Sequence, residues 1–193
     1  MNLISSKRNM NIVILTGNEI RHKYFRIRMA NDKRFHVINS FCEDQEKSLS
    51  RRISNDNDSS QLMKKHAFDR NKSEEKFFLE YIKNSKDLSN PMIIKKGAIN
   101  DREIVFQIDK LSPDLIICYG TSIIKSYLIE KYKKRFLNVH LGLSPYYRGS
   151  GTNIFPIINK ELHMIGTTFM YLNEGIDTGK IIHQFRANIH KSD

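Results

Sequence analysis

Short runs rich in β-branched residues alternate along this chain with stretches whose apolar residues recur every three or four positions, and few folds accept that order. Strand, helix and strand in succession bury a parallel sheet by laying helices across both its faces. Residues 11–16 (NIVILT) predict a buried strand ending at Gly17, and the spacing of Ile20, Tyr24, Ile27 and Arg28 predicts a helix after it. Residues 35–42 alternate as a second strand, and 92–94, 115–119, 136–140, 167–172 and 181–185 supply the rest. Ser73-Glu-Glu predicts a helix start, a cap hydroxyl followed by acids at the positive end of the dipole, with Phe77, Phe78, Tyr81 and Ile82 as the apolar face. Asn100-Asp-Arg-Glu103 has the spacing of a capping box before a helix carrying Ile104, Val105, Ile108 and Leu111, which Ser112-Pro113 ends. Thr121 or Ser122 caps a further helix with Ile123, Ile124, Tyr127 and Leu128 inward. The polar stretch 43–65 is expected to be a mobile connection or a weak helix, because too little chain precedes it to form a core of its own. The fold expected is therefore α/β: a Rossmann-like, mostly parallel sheet with helices on both faces, one domain spanning residues 1–193.

Composition narrows the setting. No apolar run approaches the ~18 residues of a membrane span, and the start, MNLISSKRNMNIVILTG, lacks the long apolar stretch and cleavage site of a secretory signal. The two cysteines, Cys42 and Cys118, lie in apolar runs and exclude a disulfide framework, which places the chain in a reducing, cytoplasmic compartment. Thirty-two Lys+Arg against 21 Asp+Glu give a net charge of +11, a balance that favours anionic partners. Lysines and asparagines are scattered throughout, so the charge equally fits a general compositional bias.

Ligands of such sheets bind beyond the carboxyl ends of the strands, which directs attention to Thr16-Gly17-Asn18, to Gly120-Thr121 and to the residues after Asn138. The first turn has one glycine where a dinucleotide fingerprint needs three, and Gly149-Ser-Gly151 follows Tyr146-Tyr-Arg instead of a strand. No His or Cys cluster has metal-ligand spacing and no Gly-x-Ser-x-Gly elbow occurs, so no metal is expected.

The informative stretch is 136–184. Asn138 and His140 share one face of a strand, and Leu137, Val139 and Leu141 share the other. A polar pair on a buried strand must be hydrogen-bonded or face a cleft. Pro145 and Gly149 fix a loop that carries Arg148, and Asp177 lies in a glycine-punctuated loop between two strands. An amide, an imidazole and a carboxylate brought together can run acyl transfer. The amide and a protonated imidazole donate to a developing oxyanion, while the carboxylate orients the imidazole or takes a proton from the amine. A satisfied core histidine and a turn-forming aspartate would give the same letters, and these residues alone leave both open.

Four segments together resemble the folate-dependent formyltransferase family, which includes glycinamide ribonucleotide and methionyl-tRNA formyltransferases and the amino-sugar N-formyltransferases. They are Asn138-Val-His140, Ser144-Pro-Tyr-Tyr-Arg-Gly149, Gly166-Thr-Thr168 and Asn173-Glu-Gly-Ile-Asp177-Thr-Gly179, at the family's spacing over about 50 residues; the first 130 residues match only in architecture. Three departures stand out. The usual His-Pro-Ser or His-Ala-Ser is His140-Leu-Gly142, the first loop lacks a Gly-Ser-Asn phosphate cradle, and Asn173 replaces an aspartate.

The resemblance implies that Asn138, His140 and Asp177 are catalytic and that 10-formyltetrahydrofolate is the formyl donor. It places the donor at Tyr119, Gly120, Leu141, Gly142, Leu143, Ser144 and Gly149. A phosphate-bearing amine acceptor is expected near Gly17, Asn18 and Arg148, with Arg148 either bracing the loop or meeting the phosphate. The loop 143–149 looks most like the amino-sugar branch, whose acceptors are nucleotide-linked sugars; methionyl-tRNA and glycinamide ribonucleotide are the alternatives. A rival from another class is a catalytically silent nucleic-acid-binding domain using Lys131-Tyr-Lys-Lys-Arg135, a run that a solvated helix end explains as well. In the family a further helix follows the last strand, and Lys191-Ser-Asp193 reads as its cap, so the domain is expected to lack that helix.

Overall fold

The computed structural model describes residues 10–44 and 61–189. The expectation that the start is not a secretory signal falls mostly outside them, as do those on most of the polar connection and on the cap at 191–193. Among the described residues, seven strands form one sheet in the order β3-β2-β1-β4-β5-β6-β7. They are β1 (Asn11–Thr16), β2 (His36–Glu43), β3 (Pro91–Ile94), β4 (Leu115–Tyr119), β5 (Phe136–His140), β6 (Gly166–Tyr171) and β7 (Ile181–Arg186). The first five run parallel; β6 pairs antiparallel with β5 and β7 antiparallel with β6, so β6 is the one reversed strand of the sheet among the described residues. The mostly parallel α/β sheet expected from the alternation is thus present.

The helices are α1 (Ile20–Ala30), α2 (Gln61–Asn84), α3 (Arg102–Leu111), α4 (Ser126–Lys131) and the single turn α5 (Phe155–Ile158). Two apolar clusters show how the sheet is covered. On one face Ile12, Ile14, Val37 and Ile117 pack with Phe25 and Met29 of α1. On the other, Val13, Leu15, Phe41, Ile116, Cys118 and Phe136 meet Ile104 and Ile108 of α3 and Leu128 and Ile129 of α4. Helix α2 docks on α1, with the Tyr24 ring against Phe78 and Tyr81. Each buried aliphatic side chain contributes about 1.5–3 kcal/mol, so both clusters are needed to hold the sheet.

Several local expectations are corrected. Helix α2 begins at Gln61, not at Ser73, whose hydroxyl instead donates back to the Asp69 carbonyl within the helix. Phe77 is exposed because α1 covers only the stripe of Phe78, Tyr81 and Ile82. Helix α3 starts after Asp101 without a side-chain cap, since the Asn100 amide is engaged with the backbone at 123 and 125. Helix α4 starts at Ser126, later than Thr121 or Ser122, and Ile123 and Tyr127 face solvent while Ile124 and Leu128 are buried. The buried side of α1 includes His22 and Arg26, two polar residues that apolar spacing passes over.

Among the described residues no helix is long and apolar enough to cross a membrane, and no three His, Cys, Asp or Glu side chains are grouped to hold a metal ion.

Candidate active site

Strand β5 delivers Asn138 and His140 to the face shared with Cys118 of β4. Strand β6 runs antiparallel, so its carboxyl end at Tyr171 lies beside Leu137, away from His140. The connection 172–180 must therefore run back along β5 to present Asp177, which sits in the left-handed region at φ +50°. That conformation is costly for most residues but tolerated by aspartate and asparagine.

The three side chains meet. Asn138 Nδ2 donates to Asp177 Oδ1 at 2.7 Å. His140 Nδ1 lies 3.2 Å from Asp177 Oδ2, and the Gly149 N–H donates to the same oxygen at 2.9 Å. His140 Nε2 faces the Tyr147 carbonyl at 2.9 Å. Both ring nitrogens thus face acceptors, and a ring with a proton on each satisfies both. The His140 side chain is 6% exposed and that of Asp177 12%, so their interaction is little screened by solvent.

Residues that carry no catalytic signature set this geometry. The Cys118 thiol donates to Asn138 Oδ1 at 3.5 Å, which leaves the Asn138 amide N–H groups for Asp177 and the cleft. Burial, then the nearby Asp177 charge, pushes the Cys118 thiol up to about 12, so it stays protonated as a donor. The pairing of Cys118 with Asn138 on adjacent strands would have revealed this contact, but strand register is not visible in a single sequence. The loop after β5 is pinned from below. Thr168 Oγ1 accepts from the Ser144 N–H and donates to the Gly142 carbonyl, and Gln184 Nε2 bridges Thr168 Oγ1 and the Ser144 carbonyl. The Ser144–Pro145 peptide is cis. Tyr147 is held in turn through its hydroxyl by Glu161 and Asn159.

Gly142 is required by a close approach. A Cβ there would lie 2.6 Å from His140 Nε2 and 2.7 Å from Thr152. The absence of a Cβ at Gly142 leaves the space in which the imidazole reaches the Tyr147 carbonyl. Leu143 and Ser144 are buried beneath it, whereas Leu141 and Gly149 are exposed at the rim, as is Ile176 next to Asp177.

The other predicted residues sort differently. Tyr119 is 9% exposed and its ring packs edge-on against His22 and Phe25, so its side chain belongs to the α1 face, and its carbonyl accepts from Thr16 Oγ1 and the Gly17 N–H. Gly120 adopts φ +68°, and a Cβ there or at Gly17 would collide with the His22 ring, which fills the crevice between the ends of β1 and β4. His22 Nδ1 accepts from the Glu19 N–H, and burial holds this imidazole well below its ordinary value of 6.5, in the neutral form.

The N-terminus of α1 beside Gly17 and Asn18 is already satisfied by the chain's own carboxylates. The Glu19 side chain caps it, and Glu74 of α2 accepts from the Arg21 N–H at 3.3 Å and from Arg21 Nη1 at 2.6 Å. The expected phosphate seat at Gly17 and Asn18 thus carries carboxylates. Arg148 is exposed and has no hydrogen-bond or ion-pair partner among the described residues, so bracing of the loop by Arg148 is not seen. In the basic run, Lys131 pairs with Asp109 and Arg135 Nη1 reaches the Pro113 carbonyl, while the side chains of Lys133 and Lys134 have no such partner among the described residues.

Comparison with known proteins adds the lineage of this arrangement. Residues 10–193 match the profile of the family described as formyl transferase. A methionyl-tRNA formyltransferase of Finegoldia magna is 32% identical over 138 residues, which are 70% of this chain and 43% of that protein. One from Clostridium tetani is 41% identical over 86 residues, 43% of this chain and 27% of that protein. The chain therefore spans less than half the length of these curated relatives. Among solved structures, a phosphoribosylglycinamide formyltransferase from Anaplasma phagocytophilum superposes with a TM-score of 0.64 at 14% identity, covering 96% of this chain and 76% of that one, a likeness of fold.

Proposed function

This chain belongs to the formyl transferase family, and from that premise we propose that it moves a formyl group from 10-formyltetrahydrofolate to an amine acceptor, with a nucleotide-linked amino sugar as the acceptor class. The observation that carries the reading is the Asp177 carboxylate bonded at once to Asn138 and to His140. Exposed Leu141 and Ile176, flanking His140 and Asp177 in sequence, provide an apolar rim suited to the flat rings of a folate.

The donor, once bound, supplies an activated formyl carbon open to attack by the acceptor nitrogen. Asn138 Nδ2 has two N–H groups; one is given to Asp177 and the other is free for the oxygen that becomes negative as the tetrahedral centre forms. His140 Nε2 can add a second donor by leaving the Tyr147 carbonyl. Each such donor is worth ~3 kcal/mol, roughly a hundredfold in rate. Asp177 orients the ring through Nδ1 and offers a carboxylate to receive the proton the amine must lose; collapse of the tetrahedral centre then breaks its bond to the donor nitrogen, which takes up that proton and leaves as tetrahydrofolate.

Two features bear on the acceptor. Carboxylates at the α1 N-terminus oppose a phosphate monoester there, which argues against glycinamide ribonucleotide. The unpaired Arg148 guanidinium beside the site suits the diphosphate of a sugar nucleotide. The names of the relatives favour methionyl-tRNA as a second reading.

The test offers 10-formyltetrahydrofolate with each acceptor class, following tetrahydrofolate release and the mass of the formylated product. Formylation of a sugar nucleotide supports the first reading and of methionyl-tRNA the second. Formylation of none of the acceptors overturns the assignment.

A further inference from the structure

We propose that Glu43 and Asn100 are positioning residues that set the backbone of segment 120–125, after β4, for the folate donor; the inference rests on the formyl-transfer reading above. Glu43 is the last residue of β2 and is 0% exposed. Its carboxylate accepts from Lys96 Nζ at 2.8 Å, from the Gly97 N–H at 2.8 Å and from the Ser122 N–H at 2.7 Å. Strand β1 lies between β2 and β4, so this side chain reaches across the end of β1 and ties the loop after β3 to the loop after β4.

Asn100 works on the same segment from the other loop. Its Nδ2 donates to the Ile123 carbonyl at 2.9 Å and its Oδ1 accepts from the Lys125 N–H at 2.8 Å. The segment is thus gripped at three successive points by side chains from elsewhere, while Ile124 is buried beneath it and Ile123 is 74% exposed. The Gly97 N–H bond couples the two grips, because Gly97 caps the short 3-10 turn Ala98–Asn100 that carries Asn100.

A buried ion pair is weak evidence of stabilisation, since the cost of removing both charges from water offsets their attraction. What Glu43 supplies is geometry. Two backbone amides on separate loops are fixed to one rigid strand end, so a ligand that binds along segment 120–125 need not order it first. None of the catalytic trio is involved, and neither residue is placed against the reacting atoms.

The experiment measures tetrahydrofolate binding by calorimetry for the full chain and for Glu43→Gln, Asn100→Ala and a control, Asn31→Ala. Asn100→Ala removes both of its bonds to the segment from a half-buried position. Glu43→Gln keeps one acceptor oxygen but turns an NH2 group either toward the Gly97 N–H, which loses that one tie, or toward the Ser122 N–H and Lys96 Nζ, which share an oxygen, so two are lost. Each should weaken tetrahydrofolate binding about five- to tenfold and raise the KM for the formyl donor while kcat at saturating donor is retained. Asn31→Ala removes two bonds at the far end of α1; it should lower the melting temperature and leave tetrahydrofolate binding unchanged.

Wild-type binding with variants within twofold of it overturns the positioning role and leaves the formyl-transfer reading standing. A wild-type chain that does not bind tetrahydrofolate overturns both. If Glu43→Gln fails to fold, Asn100→Ala decides.

Discussion

Replacing Asp177 by asparagine separates the charge of the site from its shape. Asparagine has the same outline and tolerates the φ of +50° found there, so the 172–180 connection keeps its path. One oxygen becomes an NH2 group. With the remaining oxygen turned to Asn138 Nδ2, the NH2 faces the Gly149 N–H and His140 Nδ1. The Gly149 amide and the His140 Nδ1–H both lose the carboxylate oxygen that accepts from them. A hydrogen bond to a charged group is worth about 1.5–3 kcal/mol. Two such bonds lost in the transition state correspond to a fall in turnover of about 10²- to 10⁴-fold.

The fold loses less, because the site is one corner of two large cores; a drop in melting temperature of about 2–8 °C is expected. Single-turnover formyl transfer and a thermal melt measure the two effects side by side. Asp177→Ala should melt lower still, through the added cost of alanine in the left-handed region, with no comparable further loss of turnover. A folded Asp177→Asn protein within threefold of wild-type turnover would refute the role given to the carboxylate.

Three further outcomes are expected. Glu74→Gln removes the carboxylate that engages Arg21 and Arg70, so inorganic phosphate should raise the melting temperature of the variant and not of the wild type; equal responses would remove the argument against a phosphate at the α1 N-terminus. Gly142→Ser forces a Cβ into His140 and Thr152 and should cost about 1–3 kcal/mol by overpacking, read as a lower melting temperature; an unchanged melt would mean the loop yields freely. His22 in the folded chain titrates well below 6.5 because it is buried. Below about pH 6.5 the unfolded chain takes up a proton that the folded chain refuses, so stability present above that pH is lost as the pH falls. The melting temperature should decline from about pH 7 to about pH 5, and His22→Gln should flatten the decline; an equal slope in both proteins would contradict it.

How much of this was legible in sequence depended on whether the signal was local. The strands Asn11–Thr16 and Leu115–Tyr119 stood out because a buried parallel strand is a near-continuous apolar run. The motif residues Asn138, His140 and Asp177 were legible because their spacing is fixed by one short strand and one loop. Helix starts were read less well: the side chains of Ser73 and Asn100 are engaged by the Asp69 carbonyl and by the 120–125 backbone, and the helix expected from Thr121 or Ser122 starts only at Ser126, the Ser122 N–H donating to Glu43. Competition of that kind between local capping and distant partners leaves no trace in spacing. Glu43, His22 and Cys118 escaped notice for the same reason, since each draws its meaning from a partner on a strand or loop far away in the chain.

The reversal of direction at β6 has a consequence for how the protein fails. Asn138 and His140 stand on an inner strand, whereas Asp177 hangs between β6 and β7, and all six residues of β7 are exposed at the sheet's edge. Protection against hydrogen exchange should therefore divide the site in two, with the amides of β5 opening only in the global transition and those of β7 through cheaper, sub-global opening. Each fraying event of that edge releases the carboxylate while the rest of the molecule stays intact, so heat should silence the chemistry some degrees before it melts the fold.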